Sequence, residues 1–217
     1  MSPFDPDFND LPAALPIFPL TGVLLLPRGS LPLNIFEPRY INMITDALAS
    51  DRMVGMVQPS TANAEAHEGE PAVYPTGCAG RITHFEKTDD GRFILSLKGI
   101  SRFAIVEEIP TVRGYRKCAV DWDRFRGDMA APAAKIDRKT LVGAVRSYFT
   151  VKGIQADWNA IDQAEDEALV TSIAMLCPFD PSEKQALLEA ADLTARAELL
   201  TAVVQMAALD QPGSARQ

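Results

Sequence analysis

The spacing of apolar positions along this chain changes period at residue 38 and again near residue 135. Residues 15–48, LPIFPLTGVLLLPRGSLPLNIFEPRYINMITDAL, open with short apolar runs at 16–20 and 23–26. Thr21-Gly22 separates the two, and Pro27-Arg28-Gly29-Ser30 reads as a turn. Residues 31–36 form a third extended run, because Pro32 disfavours helix before it and the rest is apolar. Proline cannot donate a ladder hydrogen bond, which places these strands at edges or barrel corners. At Pro38 the period becomes helical. Proline suits the first position of a helix, and Tyr40, Ile41, Ile44, Ala47 and Leu48 then share one face.

Further short strands follow. Residues 53–57 are apolar and end before Pro59, and residues 59–72, PSTANAEAHEGEPA, have no period and read as a mobile connection. Residues 77–87 alternate, with Ile82 and His84 on one side and Arg81, Thr83 and Phe85 on the other. Asp89-Asp90-Gly91 supplies a tight hairpin turn, and residues 93–97 pair back. Gly99 is read as one more turn. Strands over 102–109 and 115–122 complete the set, the latter with Cys118, Val120 and Trp122 on one side. Six to eight short strands, one helix and frequent Gly or Pro turns predict a closed or nearly closed barrel over residues 15–126.

The third regime is helical. Residues 127–134, GDMAAPAA, read as a linker. Helices are expected over 136–152, 162–177, from 181 to about 190, and over 194–209. The first carries a stripe of Ile136, Lys139, Val142, Val145 and Phe149 and stops at Gly153. The third opens with Asp180 as N-cap, Pro181 as first residue and Glu183 as capping-box partner. Four helices with short connections make a bundle over 135–209. Residues 1–14 read as a flexible lead-in and 210–217 as a frayed tail. The expected fold class is therefore α+β, a β barrel with one helix followed by an all-α bundle.

Composition narrows the function. The 217 residues are 47% hydrophobic and 23% charged, with a formal net charge of −8. Residues 1–127 hold 13 basic and 16 acidic groups, and residues 128–217 hold 8 and 13, so neither half is basic. That argues against a general polyanion binder. The acidic start lacks the features of a secretory signal, and no apolar run approaches the ~20 residues of a membrane span. Cys78, Cys118 and Cys177 are far apart and odd in number, as expected of buried thiols in a cytoplasmic protein. His67 and His84 are the only histidines, and no metal-ligand spacing occurs, so neither metal nor cofactor is expected.

The blocks LPIFPL, VLLLPRGSLPLNIFEPRY, GCAGRI and GISRF, in this order and spacing, resemble the N-terminal substrate-binding domain of Lon-type ATP-dependent proteases. The form Ile35-Phe36-Glu37-Pro38-Arg39-Tyr40 is similar to small stand-alone bacterial members, and to the Lon-like domains of cereblon and some eukaryotic RING proteins. CPFDPSEKQALLE at 177–189 resembles the helical part of the same group. The resemblance covers about residues 14–209. It implies a PUA-like pseudo-barrel with one helix, then a helical bundle, and a role in holding protein or peptide substrates. It does not imply catalysis. The 217 residues contain no G-x-x-x-x-G-K-S/T phosphate loop. The close pairs Ser96/Lys98 and Ser182/Lys184 do not resemble the Ser–Lys peptidase motif.

The expectation is thus a non-catalytic protein- or peptide-binding module, acting as an adaptor with a protease or chaperone in protein quality control. Phe36, Arg39, Tyr40 and Trp122 are the candidate binding residues, being large and near turns or strand ends. Core packing is the competing role for Phe36 and Tyr40, and a local ion pair with Glu37 for Arg39. Two alternatives remain. Arg113, Arg116, Lys117, Arg124 and Arg126 surround Tyr115 and Trp122, a pattern suited to RNA. A pocket between barrel and bundle would suit a small-ligand sensor.

Overall fold

The structure is a computed structural model, and it describes residues 5–60, 71–131 and 134–209. Among the described residues its first half holds six strands: β1 (Ala14–Pro19), β2 (Ser30–Ile35), β3 (Met53–Val57), β4 (Thr76–Lys87), β5 (Phe93–Ile109) and β6 (Arg116–Asp121). One helix, α1 (Pro38–Leu48), lies between β2 and β3. The sheet order is β2-β5-β4-β3-β1-β6, and β6 pairs again with β5, closing a barrel. β1 and β3 run parallel; the other pairs are antiparallel.

Closure depends on the length of β5. Its first part, from Phe93 to Lys98, pairs with β2 and β4, and its last part, from Ala104 to Ile109, pairs with β6. Gly99 is therefore not a turn but a position inside a continuous strand. Its N–H donates to the Gly29 carbonyl and its carbonyl accepts from the Arg28 N–H, both at 2.8 Å. A Cβ on Gly99 would overlap the Leu26 carbonyl oxygen, so the residue is small because another backbone lies against it. That backbone belongs to residues 23–26, which form no strand. Leu24, Leu25 and Leu26 are all buried, leaving no alternation for a strand face.

β2 carries Pro32 and pairs only with β5, as an edge strand should. β1 departs from that expectation by lying between β3 and β6. Pro16 is accommodated because it faces Lys117 of β6, one residue before the β3 ladder begins at Ile17. The segment 61–70, within the expected mobile connection, lies outside the described residues, as do residues 1–4, 132–133 and 210–217.

The described residues of the second half form five helices rather than four: α2 (Arg138–Lys152), α3 (Trp158–Gln163), α4 (Asp166–Leu176), α5 (Pro181–Glu189) and α6 (Leu193–Leu209). The helix expected over 162–177 is divided. Asp157 caps α3 by accepting from the Asn159 and Ala160 N–H groups, and Ala164 and Glu165 then turn extended before α4 restarts. On α2 the buried face is Leu141, Ala144, Val145, Tyr148 and Phe149; of the expected stripe, Val145 and Phe149 are buried, Ile136 and Val142 pack partly buried against the core, and Lys139 is exposed. Gly153 ends α2 in the left-handed region, at φ 66°. The capping box of α5 is present, with Glu183 Oε2 accepting from the Asp180 N–H at 2.8 Å.

One apolar core runs from α1 and the 24–26 segment into α2, α4, α5 and α6, so barrel and helices share it. A second core comes from strand residues, with Phe103 and Trp122 edge to face at 5.8 Å. The flanking segments are built in. Residues 8–10 form a 3-10 turn, the Phe8 ring lies 3.8 Å beneath the Arg126 guanidinium, and Lys98 donates to Asp5 at 2.6 Å. Residues 123–129, which run from the end of the expected barrel into the expected linker at 127–134, form another 3-10 stretch against β5. Asp128 there is the partner of buried Arg102.

Candidate binding surfaces

The four candidates from the sequence do not converge. Phe36, just past β2, is 64% exposed. Arg39 donates to Glu37 Oε2 at 3.1 Å and lies 4.6 Å over the Tyr40 ring, so the local ion pair is present. Tyr40 is buried, with its ring 4.2 Å from that of Phe18. Trp122 is a packing residue. It is buried against Phe103, and its indole N–H donates to the Pro12 carbonyl at 3.0 Å. A bulky ring at a strand end is drawn inward once its one polar group finds a partner.

Arg39 and Tyr40 do line a cleft of about 330 Å³, together with Leu20, Thr21, Tyr115 and Arg116. Its tyrosine and arginine groups are already engaged. Tyr115 donates to Asp46 Oδ2 at 2.8 Å, and burial, then that carboxylate, raises its hydroxyl pKa. Arg113 pairs with Asp46 at 3.0 Å, and Arg116 holds both oxygens of Glu108 at 2.9 Å. Further along, Arg126 pairs with Asp123 at 3.1 Å and Arg124 lies 5.2 Å over the Phe125 ring. The arginines of 113–126 thus face carboxylates or rings of their own chain, which lowers their capacity to hold phosphates.

A different surface has the chemistry for an apolar ligand. The C-terminal end of α2, α3 and α4 enclose a groove of about 470 Å³. Phe149, Ile154, Ile161, Leu169 and Ile173 supply apolar walls, and Ala160, Ala164 and Ala168 keep it open by their small size. The turn at Gly153 brings Ile154 to the groove, and the break at Ala164 lets α3 lie apart from α4. Leu176, the last residue of α4, stands 81% exposed at the rim. Cys177 also lines the groove, but burial pushes its thiol up to about 11, so it is a small apolar group and not a nucleophile. Asp157 is the one carboxylate among the lining residues. Sequence reading missed this groove because it left residues 158–161 unassigned and ran one helix from 162 to 177 across the break at Ala164. The available signal was Asp157, an N-cap residue four positions past the Gly153 stop.

Between barrel and helices, described residues are bridged by hydrogen bonds. Gln58 donates to the Pro181 carbonyl at 2.9 Å and Gln185 to the Thr76 carbonyl at 3.2 Å. Lys184, whose charge is disfavoured by burial, donates to the Gly22 carbonyl at 2.8 Å. A void lined by Arg28, Lys98 and Asp128 measures about 20 Å³, enough for roughly one water. The small-ligand alternative placed its pocket at this contact. Among the described residues no group of three His, Cys, Asp or Glu side chains is placed to hold a metal ion.

Comparison with known proteins bears on both halves. A model of the ATP-dependent protease La (LON) substrate-binding domain matches residues 14–205. Lon protease 2 of Myxococcus xanthus is 30% identical over 195 residues, covering 88% of this chain and 23% of that protein. The Lon protease of Anaeromyxobacter dehalogenans is 28% identical, with the same coverage. The chain spans about a quarter of the length of these curated relatives. A Lon N-terminal domain protein from Xanthomonas campestris superposes with a TM-score of 0.58 at 24% identity, over 87% of this chain and 97% of that one. The N-terminal domain of a Mycobacterium avium complex Lon protease gives 0.59 at 16% identity, over 91% and 99%. At those identities the likeness is one of fold.

Proposed function

The chain belongs to the Lon substrate-binding domain family, and from that premise we propose that it holds segments of other proteins without catalysing a reaction itself. The finer reading is an adaptor, working in the cytoplasm, that passes those segments to a protease or a chaperone. The observation that carries the proposal is the α2–α3–α4 groove with Leu176 open beside it. Holding an unfolded segment passively requires apolar surface that the native fold leaves in water. The groove meets that need on a rigid base, since α2 and α4 are anchored in the core shared with the barrel. Three free buried thiols are in keeping with a reducing compartment.

The test is binding of a permanently unfolded protein, reduced and carboxamidomethylated α-lactalbumin, whose thiol caps are uncharged, with the native form as control. Fluorescence anisotropy of the labelled protein should rise on titration with this chain for the unfolded form alone. No rise for the unfolded form, or an equal rise for both, would sink the proposal.

A further inference from the structure

We infer that the α2–α3–α4 groove selects one class of protein segment: a short apolar run flanked by lysine or arginine. The inference rests on the proposed holding function and adds which segments are held. Its apolar half follows from the groove. The volume of about 470 Å³ lies within the roughly 300–1,000 Å³ typical of ligand sites. The small alanines give a segment's side chains room to enter, and Leu176 offers an anchor already in solvent.

Its charged half follows from the wall. Residues 157–167 contain five carboxylates and no lysine or arginine. Two of the five are neutralised from other elements: Asp166 by Arg138 at 2.6 Å, and Glu167 by Arg28. No ion pair engages Asp157, Asp162 or Glu165 among the described residues. On the facing helix, Arg146 lies 4.2 Å over the Trp158 ring, and Lys152 sits in the last turn of α2. Three unneutralised carboxylates therefore stand on the segment that forms one side of the groove. At physiological salt their field reaches about 8 Å, far enough to attract a cation next to a docked apolar run and to repel an anion there.

The experiment uses the full chain and three fluorescein-labelled peptides with one apolar centre (Leu-Phe-Val-Leu-Ala) and flanks of lysine, serine or glutamate. At low salt the lysine-flanked peptide should bind about five-fold tighter than the glutamate-flanked one, a gap that closes towards ~0.5 M salt. Leu176→Lys should weaken the lysine-flanked peptide about ten-fold, by removing the anchor and opposing the flank. The double variant Asp162→Lys/Glu165→Lys should reverse the order of the charged peptides and leave the serine-flanked one unchanged. All three positions are exposed, so melting temperatures should hold. Equal affinity of the three peptides at low salt, or an order unmoved by the double variant, overturns the inference. If unfolded α-lactalbumin still binds in that case, only this selectivity fails; if it does not bind, the holding function fails as well.

Discussion

Arg102 meets Asp128 side by side: Nε and Nη2 of the guanidinium each donate to a different carboxylate oxygen at 2.8 Å. Both side chains are nearly sealed from water, and the Arg102 backbone N–H adds a third bond to Asp128 at 2.9 Å. The remaining guanidinium hydrogens reach the carbonyls of Leu188, Ala190 and Ala191 at the end of α5. One side chain of β5 thus ties the 123–129 turn and the α5 terminus to the barrel. The planar fork of arginine suits this, and lysine would not reproduce it.

Arg102→Met should destabilise the protein by about 3–5 kcal/mol, because it leaves the Asp128 carboxylate buried without its partner. Urea unfolding gives the value. The double variant Arg102→Met/Asp128→Leu should lose less than the sum of the two single changes. Strict additivity would mean that the pair is not coupled.

Gly99→Ala should cost about 1–3 kcal/mol or more, since the new methyl group meets backbone and not a side chain that can rotate away. Gly22→Ala is the contrast. Nothing crowds that Cβ, but φ is +73°, so its loss should be conformational and about 1 kcal/mol. Thermal melts of both variants decide; a neutral Gly99→Ala would mean that the 26–29 turn can move off β5.

Phe36→Ser should change stability by no more than ~0.5 kcal/mol, whereas Trp122→Ala should cost about 3–5 kcal/mol. Equal losses in chemical denaturation would contradict the burial of one and the exposure of the other.

The thiols should resist reagents while the fold is intact. Burial pushes Cys118 and Cys177 up to about 11 from an ordinary value of 9.0, and raises Cys78 further. Thiolate is the reacting form, so alkylation at pH 8 should be far slower than for free cysteine and should accelerate only as pH climbs towards 11. Unfolding in urea should release all three. Rapid modification of native protein at pH 8, followed by mass spectrometry, would place a thiol at the surface.

The features legible in the sequence are those with local causes. Pro38 marks the start of α1, Asp180-Pro181 and Glu183 mark that of α5, and Pro32 marks an edge strand. Gly99 was ambiguous because a glycine in a strand pattern serves equally as a turn or as a site of close approach, and its neighbour Leu26 is remote in sequence. The division of α3 from α4 turns on the backbone of Ala164 and Glu165, two residues with no helix-breaking chemistry of their own. The groove was hidden with it. The role of Arg102 was unreadable for another reason: its partners come from a turn and a helix end far along the chain.

The position of β1 sets a timetable for folding. Leu15 pairs with Cys118 across one edge of β1, while Ile17 pairs with Gly55 across the other. A chain leaving the ribosome can join β1 to β3 early, but the barrel has no closing strand until β6 has emerged. Such long-range pairing slows folding and leaves strand edges open while it is pending. The chain proposed to hold the exposed segments of other proteins therefore passes through a stage of its own synthesis in which it presents the same hazard.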